Sequence, residues 1–378
     1  MSIDVKKLVD AIQKKEHAVT SSTSTQDMID ILKAAKKLQG SVINSYADSS
    51  ALPNPLNTNE RIAYLEDTKV IRLNNGVWDD PTGGVEAVAG YSFQGTVSGY
   101  TAGGDQPSTP WSDVIDKFSL TSDANATDVG NLAEGKGQGL GGQVSLTHGH
   151  ATGGRVSPSP ANLNVIEKYS FSVDGNATDV GDLTLARRYV GSQSSSENGY
   201  TSGGYVSSRN NTIDKFPFAA DGNATDVGDL TQGKYGNVGQ NSTTHGYNST
   251  GHTIAVVNEI EKFAFASDGN SSDIANMTRS SHAAAGVSST ESGYMAGGTP
   301  ASNVIDKFPF ASDDNATDVG DLPSSRGLQV GQSSTTHGYA SGGNYTNEIH
   351  KFSLSSDGNA TDTADLTVGR GSASSSQS

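Results

Sequence analysis

The sequence predicts a mainly β protein, a six-bladed β-propeller preceded by a small N-terminal anchor, and three observations lead to this fold class. A unit of 45 to 50 residues occurs six times in the chain of 378 residues. Each unit contains four short strand-like segments, and an Asp-x-Asn turn separates the last two. Repeats of this length and content are typical of propeller blades.

The six units align on a Gly-aromatic-x-x-Gly-Gly element in their second segment. Its aromatic or histidine position is occupied by Tyr100, His150, Tyr200, Tyr247, Tyr294 and Tyr339. Paired glycines allow backbones to approach closely, as the crowding of blades near a propeller axis requires. Unit four has Thr250-Gly251 instead, which predicts a distortion of that blade.

The third segment of each unit reads Ile-acid-Lys-aromatic with one exception, and a second apolar residue follows two positions later. Its isoleucines are Ile115, Ile166, Ile213, Ile260, Ile305 and Ile349. A spacing of two places both rings of a pair such as Phe263 and Phe265 on one face of a strand. The next phrase, for example Asp221 to Leu230, supplies a tight turn and a fourth strand. A Ser-rich first segment completes one blade.

Alternate units differ in a way that predicts blade pairs. Units two, four and six carry His148, His245 and His337 before the second segment's glycine, and Glu167, Glu261 and His350 in the third segment. The odd units carry Asp116, Asp214 and Asp306 in the third segment. Three pairs favour a closed ring of six. The spacing leaves the closure open, because Val85–Val97 and Gly371–Ser378 both resemble a first strand, so that a partial seventh blade or an overlapping closure is an alternative.

Composition limits the partners and the compartment. There are 25 Lys and Arg against 41 Asp and Glu, a net charge of −16, which predicts that neither nucleic acid nor an anionic membrane is a partner. The chain has no cysteine, so it has neither disulfides nor thiolate metal sites. No apolar run approaches the roughly 20 residues of a membrane span, and the N-terminus lacks a signal peptide's apolar core. We therefore expect a soluble, unprocessed chain.

The N-terminal part predicts an anchor. Residues 1–40 contain two short amphipathic helices, with Val5, Leu8 and Ile12 at helical spacing and a capping box at Ser24 and Asp27. Residues 41–60 read as a linker, 61–84 as a small β-hairpin attachment module, and 85–378 as the propeller. Because isolated helices of about a dozen residues are marginal in water, we expect them to dock on a partner or on copies of themselves, with a trimer as the working hypothesis.

Two groups of residues suggest metal binding, and each has a simpler explanation. His148, His245 and His337 recur at one register and are of a type that binds Zn²⁺. Packing inside each blade through local hydrogen bonds explains them better, since ligands about 2.1 Å from one ion would need a very narrow channel. The Asp-Gly-Asn-x-x-Asp turns resemble a calcium loop but lack its terminal Glu, so we interpret them, and the Asn-Ala-Thr acceptor sequence within them, as turn chemistry.

The sequence predicts no enzyme and no cofactor. It has no Gly-x-Ser-x-Gly elbow, phosphate-binding loop or His-Glu-x-x-His. Exposed aromatic residues and Asn- and Asp-rich loops on a propeller face suit a carbohydrate, and they also suit packing and turns, so no ligand-binding residue is assigned. A propeller glycosidase or lyase is the third alternative, because the fold alone does not decide function.

The repeats resemble known propeller families. A basic residue before a small-residue strand (Arg187, Arg326, Arg370), the Gly-Gly ending and the Asp-Lys-Phe strand resemble Kelch-type repeats without their late tryptophan. The Ile-Asp-Lys-Phe and Asp-Gly-Asn-Ala-Thr-Asp-Val-Gly-Asp-Leu phrases are more similar to propeller proteins of tailed bacteriophages of marine bacteria, particularly cyanophages. The resemblance covers about residues 85 to 370. The segment Arg61 to Asp67, followed by Asn75 to Trp78, is similar to attachment modules of phage tail proteins.

The resemblance implies a non-enzymatic structural protein of a phage virion, associated with the tail or a tail fibre. Its N-terminal region would bind other virion proteins, and its propeller would be displayed for host recognition, with a surface polysaccharide as the candidate ligand. The alternative is a soluble Kelch-like adaptor that gathers protein partners.

Overall fold

The chain divides into two compact units, residues 1–90 and 91–378, which are described separately. The structure, a computed structural model, describes residues 93–108, 111–157 and 161–378, together with four short strands nearer the N-terminus. The second unit confirms the mainly β six-bladed propeller.

The described part of the first unit is one small sheet. Its strands, in sheet order, are Asn44–Tyr46, Ile62–Leu65, Ile71–Asn74 and Trp78–Asp79. The first pair is parallel and the other two are antiparallel. Asn44–Tyr46 lies in the segment predicted as a linker. The two predicted helices of residues 1–40 lie outside the described residues, and the anchoring role stays a prediction.

The second unit contains six four-stranded antiparallel sheets, the blades. The innermost strands of blades 1 to 6 are Ser374–Gln377, Gly141–Val144, Gly191–Ser194, Val238–Asn241, Ala285–Ser288 and Val330–Ser333. The second strands are Ser98–Ala102, His148–Thr152, Asn198–Ser202, His245–His252, Ser292–Ala296 and His337–Ser341.

The two outer positions of each blade follow the same order. The third strands are Val114–Ser119, Val165–Ser170, Thr212–Pro217, Val256–Ala264, Ser302–Pro309 and Glu348–Ser353. The outermost strands are Thr127–Asn131, Thr178–Asp182, Thr225–Asp229, Ser272–Asn276, Thr317–Arg326 and Thr361–Asp365. A two-stranded ribbon, Lys136–Gly137 with Arg155–Val156, lies beside blade 2. Among the described residues, no helix is long and apolar enough to cross a membrane.

The last strand of the chain closes the ring. Ser374–Gln377 pairs with Ser98–Ala102 and so becomes the innermost strand of blade 1. The six innermost strands contact one another in cyclic order. Of the predicted first strand at Val85–Val97, the described residues from Phe93 onward form only an isolated bridge, Gly95 with Ser334. The closure is therefore an overlap of the two ends of the propeller segment, with six blades.

Aromatic rings fill the space between blades. Tyr200 of blade 3 packs against Phe263 and Phe265 of blade 4, with ring centroids 5.4 and 5.0 Å apart. This confirms that the two rings of a third strand share one face. Buried pairs of this kind contribute about 0.5–1.5 kcal/mol each beyond the area they bury.

Glycines meet two different needs. The paired glycines follow the second strand and have left-handed backbone, with φ of 64° at Gly203 and 102° at Gly204. Close approach at the axis instead involves glycines of the innermost strands: a Cβ on Gly239 would lie 2.0 Å from the Ser192 carbonyl oxygen. In blade 4, Thr250 takes a φ of 60°, so the expected distortion is absorbed by the threonine itself.

One end of the axis carries a closed ring of main-chain hydrogen bonds. Its residues are Gly139, Tyr189, Gly236, Ala283, Leu328 and Ser372, with φ between 52° and 73°. Each N–H donates to the preceding blade, as in Gly236 to Tyr189 and Ala283 to Gly236, both 2.7 Å, and Gln138 supplies the acceptor for Tyr189. Inside the innermost strands is a cavity of about 90 Å³, room for a few waters.

Candidate functional site

An ion pair fixes every blade connector, and the pairs of blades 1 to 4 are buried on both sides. A basic residue of each connector reaches the third strand of the blade that follows. The pairs are Arg370–Asp116, Lys136–Glu167, Arg187–Asp214, Lys234–Glu261, Arg279–Asp306 and Arg326–Glu348. In blades 1 to 5, aspartate, the shorter acid, pairs with arginine, the longer cation, and glutamate, the longer acid, pairs with lysine. This complementarity explains the alternation of Asp and Glu between odd and even units in blades 1 to 5, and it assigns Arg187, Arg326 and Arg370 a structural role.

Blade 6 departs from this rule through two coupled changes. In three connectors a threonine donates both its N–H and its hydroxyl to the buried acid, as Thr184 does to Asp214. Blade 6 has Pro323 at this position, which offers neither donor, and His350 replaces the acid. The negative charge that pairs with Arg326 comes instead from Glu348, which also accepts a 3.0 Å hydrogen bond from His350. Burial, followed by the charge of Arg326, lowers the pKa of His350 to about 4.

Glu348, His350 and Asp362 form the one group of three potential metal ligands found among the described residues, with donor atoms within 4.8 Å of one another. Imidazole and carboxylate are donors that suit several divalent ions. The Arg326 guanidinium, however, already binds Glu348. Arg326 provides positive charge here, as an arginine or a lysine does at the equivalent junctions, and we assign the group a structural role.

The three repeated histidines are not brought together. Each ring accepts or donates one hydrogen bond with the threonine before it, with Nδ1 to Oγ1 distances of 2.8 Å for His148, His245 and His337. The main-chain N–H of His148 also donates to Ser145. Each imidazole is therefore held inside its own blade, in line with the local-packing interpretation.

The Asp-Gly-Asn turns bind the neighbouring blade rather than a common centre. Asp174 pairs with Lys117 of blade 1 at 2.9 Å, and Asn176 accepts a 3.0 Å hydrogen bond from the main chain of Asn131. Asp179 accepts from the N–H of Gly181, within its own strand. The Lys–Asp link occurs at all six junctions: Lys117–Asp174, Lys168–Asp221, Lys215–Asp268, Lys262–Asp313, Lys307–Asp357 and Lys351–Asp123.

The two faces of the propeller differ in how closely the blades repeat. On the turn face, every link between third and fourth strands has seven residues, as in 120–126 and 354–360. On the opposite loop face, the segment between paired residues of the second and third strands varies from seven residues (342–348) to thirteen (153–165). Binding residues are disproportionately found on such variable loops carried by a rigid scaffold.

A cluster of partly exposed rings lies on the loop face of blades 3 to 5. Its members, the aromatic cluster, are Tyr189, Tyr205, Tyr235, His252 and His282. Tyr235 is central: its ring centroid lies 5.8 Å from Tyr189, 5.6 Å from Tyr205 and 4.9 Å from His252.

Arginines adjoin the aromatic cluster. The Arg188 guanidinium lies 4.8 Å from the centroid of Tyr205 and 5.7 Å from that of Tyr189. Main-chain bridges join Arg188 to Tyr205 and Tyr205 to Arg209. The other half of the loop face has small or polar residues at the equivalent bridge positions, as in Asp105 with Gly371.

Burial governs the protonation of this site. It raises the pKa of Tyr189 to about 12 and lowers the pKa of His282, which the charge of His252 lowers further. Tyr189 is therefore uncharged at neutral pH and the neutral form of His282 is favoured, while arginine supplies positive charge beside the cluster. Sequence reasoning missed this site because its aromatic residues do not repeat from blade to blade. The available signal was a ring directly after the paired glycines or their Thr-Gly equivalent, as at Tyr205 and His252.

No known protein-family model matches the chain, and no curated protein shows significant sequence similarity to it.

Proposed function

We propose that the chain is a non-enzymatic virion protein of a bacteriophage, associated with the tail or a tail fibre, whose propeller displays its loop face for host recognition. The observation that carries the proposal is the contrast between the faces. The turn face repeats with fixed lengths, whereas length variation and the aromatic cluster are on the loop face.

The use of the charged groups supports a recognition role over catalysis. Twelve of the Lys and Arg residues in the described ranges form ion pairs, and most of these pairs join neighbouring blades or their connectors. Such groups stabilise the ring and are unavailable for acid–base chemistry. The first described residues of the propeller also hydrogen-bond to Ser378 and Ser333 on the turn face, so they do not cover the loop face.

The experiment is direct. Purified phage particles should contain the chain by mass spectrometry and show a six-bladed density by electron microscopy, and the labelled full-length chain should bind host cells. Absence of the chain from particles would overturn the virion role, and its presence without host-cell binding would overturn the recognition role alone.

One observation favours a second candidate, the soluble Kelch-like adaptor. Ile254, in the blade 4 loop two residues from His252, is 93% exposed, and the tyrosines and arginines of the same face are of types enriched at protein interfaces. Capture of one stoichiometric protein partner by the full-length chain, lost in Ile254→Asp and retained in Val173→Asp on the turn face, would favour the adaptor.

A further inference from the structure

Three cations of the propeller have no acidic partner among the residues that the structure describes. Fifteen Lys and Arg residues lie in these ranges, and twelve form ion pairs. The other three are Arg155, Arg188 and Arg209. In a chain of net charge −16, acidic partners are abundant, so three unpaired arginines in one place are a distinct feature.

These arginines lie on connected segments of the loop face. Arg155 is bridged through its main chain to Asn162, and Arg188 and Arg209 are both bridged to Tyr205. The Asn162 side chain accepts a 2.7 Å hydrogen bond from Arg188 and donates to the carbonyl of Tyr205 at 3.2 Å. The segments of blades 2 and 3 are thereby held together.

Their charges are oriented but not neutralised. Arg155 donates to the Gln138 amide oxygen at 3.3 Å, and Arg188 donates to Asn162. Both acceptors are neutral. Asp105, the carboxylate whose charge reaches Tyr189, is 6% exposed and accepts a hydrogen bond from the Gln138 main chain, and it forms no ion pair with these arginines among the described residues.

We propose that Arg155, Arg188 and Arg209, together with Tyr189, Tyr205 and Tyr235, bind an acidic saccharide on the loop face. Guanidinium groups bind carboxylate and sulfate through paired, directional hydrogen bonds. Tyrosine rings offer amphipathic surface to the C–H faces of a sugar, with hydroxyls for its polar edge. The inference rests on the proposed host recognition and names the ligand class of its site.

A short acidic saccharide fits the charge distribution better than an extended polyanion. The cationic area spans two blades and is surrounded by a strongly acidic molecule. A long nucleic acid would extend beyond it and be repelled. A saccharide of a few units can satisfy three arginines without leaving the area.

The test measures binding of the purified full-length chain by calorimetry to four probes: an oligogalacturonate of about six units, a sulfated oligosaccharide of the same length, neutral maltohexaose and a single-stranded oligonucleotide. We expect binding of an acidic sugar that weakens as salt rises, and at least tenfold weaker binding of maltohexaose. The two acidic probes distinguish carboxylate from sulfate. Equal binding of the neutral sugar, stronger binding of the oligonucleotide, or binding of no probe would overturn the proposal.

Variants make the test specific. Arg188→Gln should weaken binding of the acidic sugar at least tenfold, and Arg209→Gln, at an exposed position, should weaken it about threefold without a change in thermal unfolding. Lys117→Gln removes the same charge on the turn face and should leave binding unchanged. Equal losses in Lys117→Gln and Arg188→Gln would overturn the site. Failure of sugar binding would leave the virion assay unaffected, so the two proposals fail separately.

Discussion

Arg187 and Asp214 form an ion pair that is fully removed from solvent, with Nη2 and Oδ2 3.0 Å apart and both side chains 0% exposed. At the next junction the pair is Lys234 and Glu261, at 2.5 Å and again 0% exposed. In both pairs a longer side chain meets a shorter one. The summed length of the two side chains is therefore similar at the two junctions, although the residue types alternate.

This complementarity predicts non-additive effects of exchanging the two pair types. Asp214→Glu alone should crowd the site and Arg187→Lys alone should leave it under-filled, each lowering the free energy of unfolding by about 2 kcal/mol. The double variant reproduces the pair of blade 4 and should lie within about 1 kcal/mol of the wild type. Denaturant unfolding of all four proteins gives the coupling. Additive losses would contradict a requirement for matched length.

The left-handed backbone of Thr250 leads us to expect that its replacement by glycine is stabilising. Its φ of 60° is unfavourable for a β-branched residue, and its hydroxyl is buried without a hydrogen-bond partner among the described residues. Thr250→Gly should therefore raise the free energy of unfolding by about 1 kcal/mol, after allowing for the entropy of glycine. The matched control is Gly203→Thr in blade 3, where φ is 64°, and it should be destabilising. Loss of stability in Thr250→Gly would show that its methyl packing outweighs the strain.

The blades and the roles of their strands were predictable because each repeats six times with a fixed side-chain period. The closing strand was not, because Gly371–Ser378 resembles a first strand without specifying its partner, and only pairing with Ser98–Ala102 decides this. The alternation of Asp and Glu was visible, but the cations lie 27 to 31 residues earlier in blades 2 to 5, as with Lys136 and Glu167 or Arg187 and Asp214. The unpaired arginines could not be recognised, since lack of a partner is a property of the fold.

Close approach at the axis predicts a large difference between two glycine substitutions. A Cβ on Gly239 would meet the Ser192 carbonyl oxygen at 2.0 Å, and backbone cannot move aside cheaply. Gly239→Ala should cost about 2 kcal/mol or more. A methyl group added at Gly175, in the turn of blade 2, would have no neighbouring atom within 4 Å, and blade 1 already has Ala124 at this position. Gly175→Ala should be neutral in the same thermal unfolding assay, and equal effects would contradict the axial contact.

The buried imidazole of His150 leads us to expect that the protein loses stability as the pH falls. Burial, with help from the charges of His148 and Lys168, lowers its pKa to about 3, whereas the unfolded value is about 6.5. Between these values the unfolded chain binds the extra proton, so this contribution is present above pH 6.5 and is lost as the pH falls toward 3. Tyrosine occupies the position in the other five blades. His150→Tyr should reduce the loss between pH 8 and 5 by about 2 kcal/mol, while Asp105, with a pKa raised to about 6 by burial, contributes equally to both proteins. Parallel stability curves for the two proteins would show that His150 is protonated in the native state.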